Sequence, residues 1–136
     1  MKLKGNNSSI EIKLITKSNP NSIDEWDRKW INSELEIILL GFKANQSIEI
    51  LYDDLVCFYE SIKNALNDFS KTIIFSNIEE SVYLEGKIET NGQVLWNGFN
   101  IYPIGDGNKL IFKFETELAQ IDNLFVDIKK ALNEFS

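Results

Sequence analysis

Two stretches of the chain place apolar residues at helical spacing, and most of the remainder alternates with period two. In Asp53–Phe69, the residues Leu55, Phe58, Tyr59, Ile62, Ala65, Leu66 and Phe69 fall on one face of a 3.6-residue helix. Asp53 and Asp54 supply an N-cap and put negative charge in its first turn, where the helix dipole favours it. The second stretch runs from near Ile121 to the end, with Ile121, Leu124, Phe125, Ile128, Ala131, Leu132 and Phe135 on its stripe. Ile62–Ser70 returns as the near copy Ile128–Ser136. Shared packing demands explain this likeness more simply than duplication, because the strands ahead of the two helices differ in sequence.

Alternation predicts strands at Ile10–Ile15, Ser47–Tyr52, Thr72–Asn77, Ser81–Glu89, Gln93–Tyr102 and Leu110–Thr116. Glu34–Phe42 is apolar on both sides, with Leu35, Ile37 and Leu39 on one and Ile38, Leu40 and Phe42 on the other. It therefore reads as a central strand covered on both faces. Asn91-Gly92 predicts a type I′ hairpin turn, Gly105–Asn108 a further turn, and Gly98 a bulge or a close backbone approach. Ile23–Ile31 reads either as a short helical turn or as an irregular strand entry. Met1–Ser9 is polar and is expected to fray. The predicted fold is a single α+β domain over residues 1–136. It has one strongly twisted antiparallel sheet of about seven strands, in the order β-β-β-α-β-β-β-β-α, with both helices on one face. Links of hairpin length favour antiparallel pairing.

Composition narrows the chemistry. The chain has no histidine, which removes the commonest general base, the commonest metal ligand and every Ser-His or Cys-His nucleophile pair. No phosphate-binding glycine loop, dinucleotide fingerprint or Cys-x-x-Cys pattern occurs. These absences predict no catalytic residues, no metal and no cofactor. The net charge of −7 argues against nucleic-acid binding and favours basic partners. The single cysteine, Cys57, cannot form an internal disulfide. Together with the lack of a leader-like N-terminus and of a long apolar run, it predicts a cytoplasmic protein with no membrane span. Cys57 sits opposite the apolar stripe, so it should be exposed, and its acidic neighbours should keep the thiol inert.

The strand phases turn one sheet face away from the helices. It carries Glu11, Glu49, Glu85, Glu89 and Glu115, with Lys13, Lys87 and Lys113 between them and Tyr83 and Ile111 exposed. Alternating Glu and Lys on a one-sided sheet are ordinarily cross-strand pairs in water. The alternative is an acidic, partly aromatic interaction surface, for which Tyr83, Glu85, Glu89, Glu115 and Glu49 are the candidate partner-binding residues.

Several residues resemble the WapI-like immunity proteins of bacterial polymorphic toxin systems, over roughly residues 24–132. They are Asp27-Arg28-Lys29-Trp30-Ile31, similar to that family's Asp-x-x-Trp-Leu, and a strand ending in Gly41-Phe42. Asp54-Leu55 with Phe58 follow, then Asn91-Gly92-Gln93-Val94, Gly98, Asn108-Lys109-Leu110 with Phe112, and Thr116-Glu117. Glu117-Leu118 departs from the family's Asp-Gln. The resemblance implies a small cytoplasmic protein that binds and neutralises a cognate toxin domain, often a nuclease, without catalysis. The competing expectation is a small-ligand-binding α+β domain, also without catalysis, with a pocket lined by Trp96, Phe99 and Tyr102.

Overall fold

A computed structural model describes all residues, Met1–Ser136. Its elements are β1 (Lys2–Gly5), β2 (Ser8–Lys17), β3 (Trp30–Leu39), β4 (Phe42–Leu51), α1 (Tyr52–Asn67), β5 (Ile73–Ser76), β6 (Val82–Ile88), β7 (Gln93–Tyr102), β8 (Asn108–Glu117) and α2 (Ala119–Glu134). The α+β class and the antiparallel pairing are as the alternation predicts. The sheet is not single, however: β1-β2-β3-β4 form one four-stranded meander and β5-β6-β7-β8 another. No helix is long and apolar enough to cross a membrane.

Three local expectations are corrected. Residues expected to fray supply β1, whose Leu3 is buried, and the Met1 amino group donates to the Ile12 carbonyl at 3.0 Å. Glu34–Phe42 is not a doubly covered strand. It spans a hairpin whose Gly41 takes a φ of +87°, leaving Leu40 81% and Phe42 64% exposed. At Asn91-Gly92 only Gly92 has positive φ, at +82°. Its N–H donates to the Glu89 carbonyl, and the Glu89 N–H donates to Gln93. This is the longer hairpin loop ending in a left-handed glycine rather than a two-residue turn. Gly98, by contrast, is a close approach, since a Cβ there would meet the Tyr83 carbonyl and lie 2.9 Å from Phe112 Cζ. Between Ile23 and Ile31 both readings hold, as a 3-10 turn at Asp27–Lys29 leads straight into β3.

Each half of the chain is thus a four-stranded meander followed by a 16-residue helix. The repeat reaches beyond the helices. The buried residues of α1 are Leu55, Phe58, Ile62 and Ala65, and those of α2 are Ile121, Leu124, Ile128 and Ala131, each standing at the same displacement along the chain. The preceding strands keep the same phase, with Ile48 and Ile50 buried in β4 and Phe114 and Thr116 in β8. Packing demands on two helices alone do not reproduce a whole four-strand-plus-helix unit. The chain is an internal structural repeat.

The halves interlock. Their buried faces join in one cluster of 25 residues that draws on both sheets and both helices. Tyr59 and Phe125, equivalent positions in the two helices, stack at 4.8 Å. The Tyr52 hydroxyl donates to the Leu132 carbonyl at 3.0 Å, and Gln46 and Asn100 exchange amide hydrogen bonds of 2.8 and 2.9 Å between the sheets. The Ser61 hydroxyl of α1 binds both the N–H and the carbonyl of Ile74 at 3.1 Å, closing part of the outer edge of β5. No buried side-chain nitrogen or oxygen lacks a partner, so the interior carries no uncompensated polar side chain.

Leu66 and Leu132 are only half-buried, whereas Ile62 and Ile128 are fully enclosed at 0% exposure. Ile62→Ala and Ile128→Ala should therefore each destabilise the fold by about 2–5 kcal/mol, the usual result of emptying such a site. Urea denaturation measures this, and a cost well under 1 kcal/mol at either position would contradict the shared core.

Candidate partner-binding surface

Burial alternates cleanly in the second sheet. Val94, Trp96, Gly98 and Asn100 point inward on β7, so Leu95, Asn97, Phe99 and Ile101 lie on the outer face. Antiparallel register then aligns Ser76, Tyr83, Phe99 and Ile111 as one row across all four strands. Tyr83 and Phe99 stack at 5.5 Å with 15° between their planes, and Ile111 is 75% exposed. The Tyr83 hydroxyl donates to Glu85 Oε2 at 2.9 Å. Burial raises the Tyr83 phenol above its ordinary pKa, and the hydrogen bond and charge of Glu85 add to the rise. Glu85 also faces Lys87 at 3.7 Å. Lys109 Nζ rests 4.3 Å above the centre of the Phe99 ring.

Of the five predicted residues, Tyr83, Glu85 and Glu115 share this face. Glu115 is exposed and pairs with Leu95, and Glu89 stands exposed at the β6–β7 turn just beyond it. Glu49 is elsewhere, on β4 of the other sheet, where it accepts a hydrogen bond of 2.7 Å from the Ser18 hydroxyl. The sequence reading missed Phe99 as part of this surface because it grouped Phe99 with Trp96. An odd spacing of three along a strand puts the two on opposite faces.

The matching outer face of the first sheet is different. Its rows are Lys2–Glu11–Glu36–Asn45 and Lys13–Glu34–Ser47, with Lys13 and Glu11 at 3.8 Å. Those rows are cross-strand arrangements of charge, which water solvates well, while Ile38, 36% exposed, and Trp30, edge-on to Trp26 at 6.4 Å, share their phase of β3. The second sheet's face also carries charge, in Glu85, Lys87, Lys113 and Glu115, and adds a row in which two stacked rings and an exposed isoleucine run across the strands.

The negative charge gathers beside the N-terminus of α1. Residues 24–29, 49–54 and 77–80 hold eight carboxylates against Arg28 and Lys29, a net −6 of the chain's −7. The segments are tied together by side chains. Asp54 accepts the N–H of Leu51 at 2.9 Å, capping α1 from its third position, and the N–H of Ile78 at 3.2 Å. Lys29 pairs with Asp53 at 3.5 Å. Burial pushes Asp54 above the usual carboxylate pKa against the pull of its two N–H donors, and Asp53 adds to the rise. Glu79 is also raised, by burial first and then by the charges of Glu49 and Asp54. A carboxylate whose pKa is raised by folding contributes stability in acid that is lost as the pH rises through its folded pKa. Glu79→Gln should accordingly raise the melting temperature at pH 7, with the gain shrinking towards zero at pH 3. Thermal scans across that range check this, and a gain that grows in acid would contradict the assignment.

A ligand pocket of Trp96, Phe99 and Tyr102 does not form. Trp96 is fully buried, with its indole N–H donating to Thr116 Oγ1 at 2.9 Å, Phe99 is on the outer face, and Tyr102 is exposed at the strand end. The apolar gap between Leu3, Ile12, Phe58, Phe75, Leu84 and Leu124 measures about 20 Å³, room for little more than one water. No three acidic or sulfur side chains converge as a cation-binding group, and Cys57 is exposed on α1 as its helical phase predicts.

What the molecule offers is surface: an aromatic row, a carboxylate rim and an acidic end. Comparison with curated proteins finds no match. Comparison with protein families matches residues 2–136 to the immunity protein WapI-like family, so essentially the whole chain accords with the resemblance carried by its motifs, and the chain belongs to the WapI-like immunity protein family.

Proposed function

We propose that this protein binds and neutralises a basic toxin domain, a nuclease in the first instance, in the cytoplasm and without catalysis of its own. Family membership supplies the toxin class of partner. The observation that carries the choice of surface is the aromatic–aliphatic row across the second sheet. The row Tyr83–Phe99–Ile111 is the kind of apolar centre on which protein–protein affinity concentrates, and Glu85, Glu89 and Glu115 form a polar rim. Glu49 and the acidic end add a field that attracts a cationic partner from a distance.

Rim charges act mainly on encounter and central aromatics on residence. Replacing Glu85, Glu89 and Glu115 together by Gln should slow association about tenfold at low salt. The effect should fade as salt shortens the Debye length to about 8 Å. Tyr83→Ala should instead speed dissociation, with a loss of about 2 kcal/mol. The measurement is surface-immobilised binding kinetics at two salt concentrations, against the C-terminal domain encoded by the adjacent upstream gene. Unchanged rates in both variants would remove this face from the interface. Absence of binding by the intact protein would count against the immunity reading.

A further inference from the structure

The centre of the aromatic row already holds a cation. Lys109 lies on β8 opposite Ile101, and its ammonium sits 4.3 Å from the Phe99 ring centre. It forms neither an ion pair nor a hydrogen bond, although Glu85 and Glu115 belong to the same sheet. Its contact with the ring is therefore the one polar attraction holding the end of an exposed side chain, and an exposed contact of this kind is weak. Tyr83 stacks on Phe99, so the ring that meets the cation also packs face to face against a second ring, whose hydroxyl is committed to Glu85. A cationic side chain arriving where Lys109 sits would meet the π face of Phe99 that Tyr83 leaves uncovered.

We infer that the Tyr83–Phe99 pair is a receptor for a cationic side chain of the partner, arginine by preference, and that Lys109 is a placeholder which that side chain displaces. The inference rests on the toxin-binding reading for its natural partner, though not for its chemistry. A guanidinium suits the site better than an ammonium. It is planar, stacks on ring faces and is more weakly hydrated. Charge complementarity favours the same occupant. The β5–β6 turn, with Glu79 and Glu80 in the acidic end, is three residues from Tyr83, so a basic segment drawn to that end arrives beside the rings. A displaced Lys109 returns to water at little cost because it is already exposed.

The test separates π recognition from simple burial and from simple charge. Phe99→Leu keeps an apolar side chain and removes the ring. Lys109→Ala removes the placeholder, and Lys113→Ala removes an equal charge from the same strand and face without touching a ring. Two probes are used: the upstream gene's C-terminal domain, followed by binding kinetics, and an acetylated tetra-arginine peptide, followed through the Tyr83 and Phe99 ring protons by NMR. Phe99→Leu should weaken both interactions about fivefold while its melting curve stays close to wild type. Lys109→Ala should tighten both, and by more than Lys113→Ala. Equal gains from the two lysine variants would reduce Lys109 to background charge and overturn the placeholder. Undiminished binding by a folded Phe99→Leu protein would overturn the receptor, as would tetra-arginine shifts that avoid the two rings. If the peptide binds with the expected pattern while the toxin domain does not bind wild type at all, the toxin reading fails and the cation receptor stands.

Discussion

The packing of α1 against α2 is the constraint on which the rest of the structure depends. Each four-stranded meander has one apolar face, and one helix is too narrow to cover it. The solution is reciprocal: α1 packs against β5 of the second sheet, α2 packs against β1 of the first, and the helices meet each other through Tyr59 and Phe125. Neither half closes its own core. The 25 buried residues therefore behave as one cooperative unit, and losing an isoleucine from either helix removes support from both sheets.

The polar links follow from this arrangement. Once the helices fix the halves, Gln46 and Asn100 face each other where the sheets meet, and two amides exchanging hydrogen bonds satisfy what would otherwise be costly buried groups. Asp54 serves a similar end outside the core. One carboxylate ends α1 of the first half and holds the β5–β6 turn of the second, a double use that brings Glu49, Asp54 and Glu79 near one another. The electrostatic concentration at this end is thus a result of how the halves are joined.

Much of the fold was legible in the chain because the signals were local. The helix stripes as far as α1 extends, the limits of Gln93–Tyr102 and the exposure of Cys57 all follow from periodicity. Phe69, expected on the first stripe, instead lies past the end of α1 and is 52% exposed. The second sheet was not legible, because alternation tells which residues share a face and says nothing about which strands are neighbours. The Glu34–Phe42 error has a specific cause. Leu40, Gly41 and Phe42 extend an apolar run past a turn, and hydrophobicity at an exposed hairpin tip looks the same in sequence as hydrophobicity in a core. β1 was missed because Lys2 and Lys4 flank its single buried leucine. At the candidate surface, Tyr83, Glu85 and Glu115 were legible from strand phase alone. Phe99 required its parity with Trp96 to be applied strictly, and Glu49 was grouped with them only because one sheet was expected instead of two.

The alternation along β6, β7 and β8 has a consequence for how such a protein can change over generations. Every residue of the aromatic row has neighbours in sequence that point into the core, while the row itself touches only the outer layer. Substitutions at positions 83, 99, 109 and 111 can accordingly be sampled with the framework untouched. The first sheet, equal in strand order, shows the same scaffold with a different set of outward side chains. A repeat of this kind lets the outward residues of one half vary while the core shared by both keeps the architecture standing, so new surface chemistry can arise without a new fold.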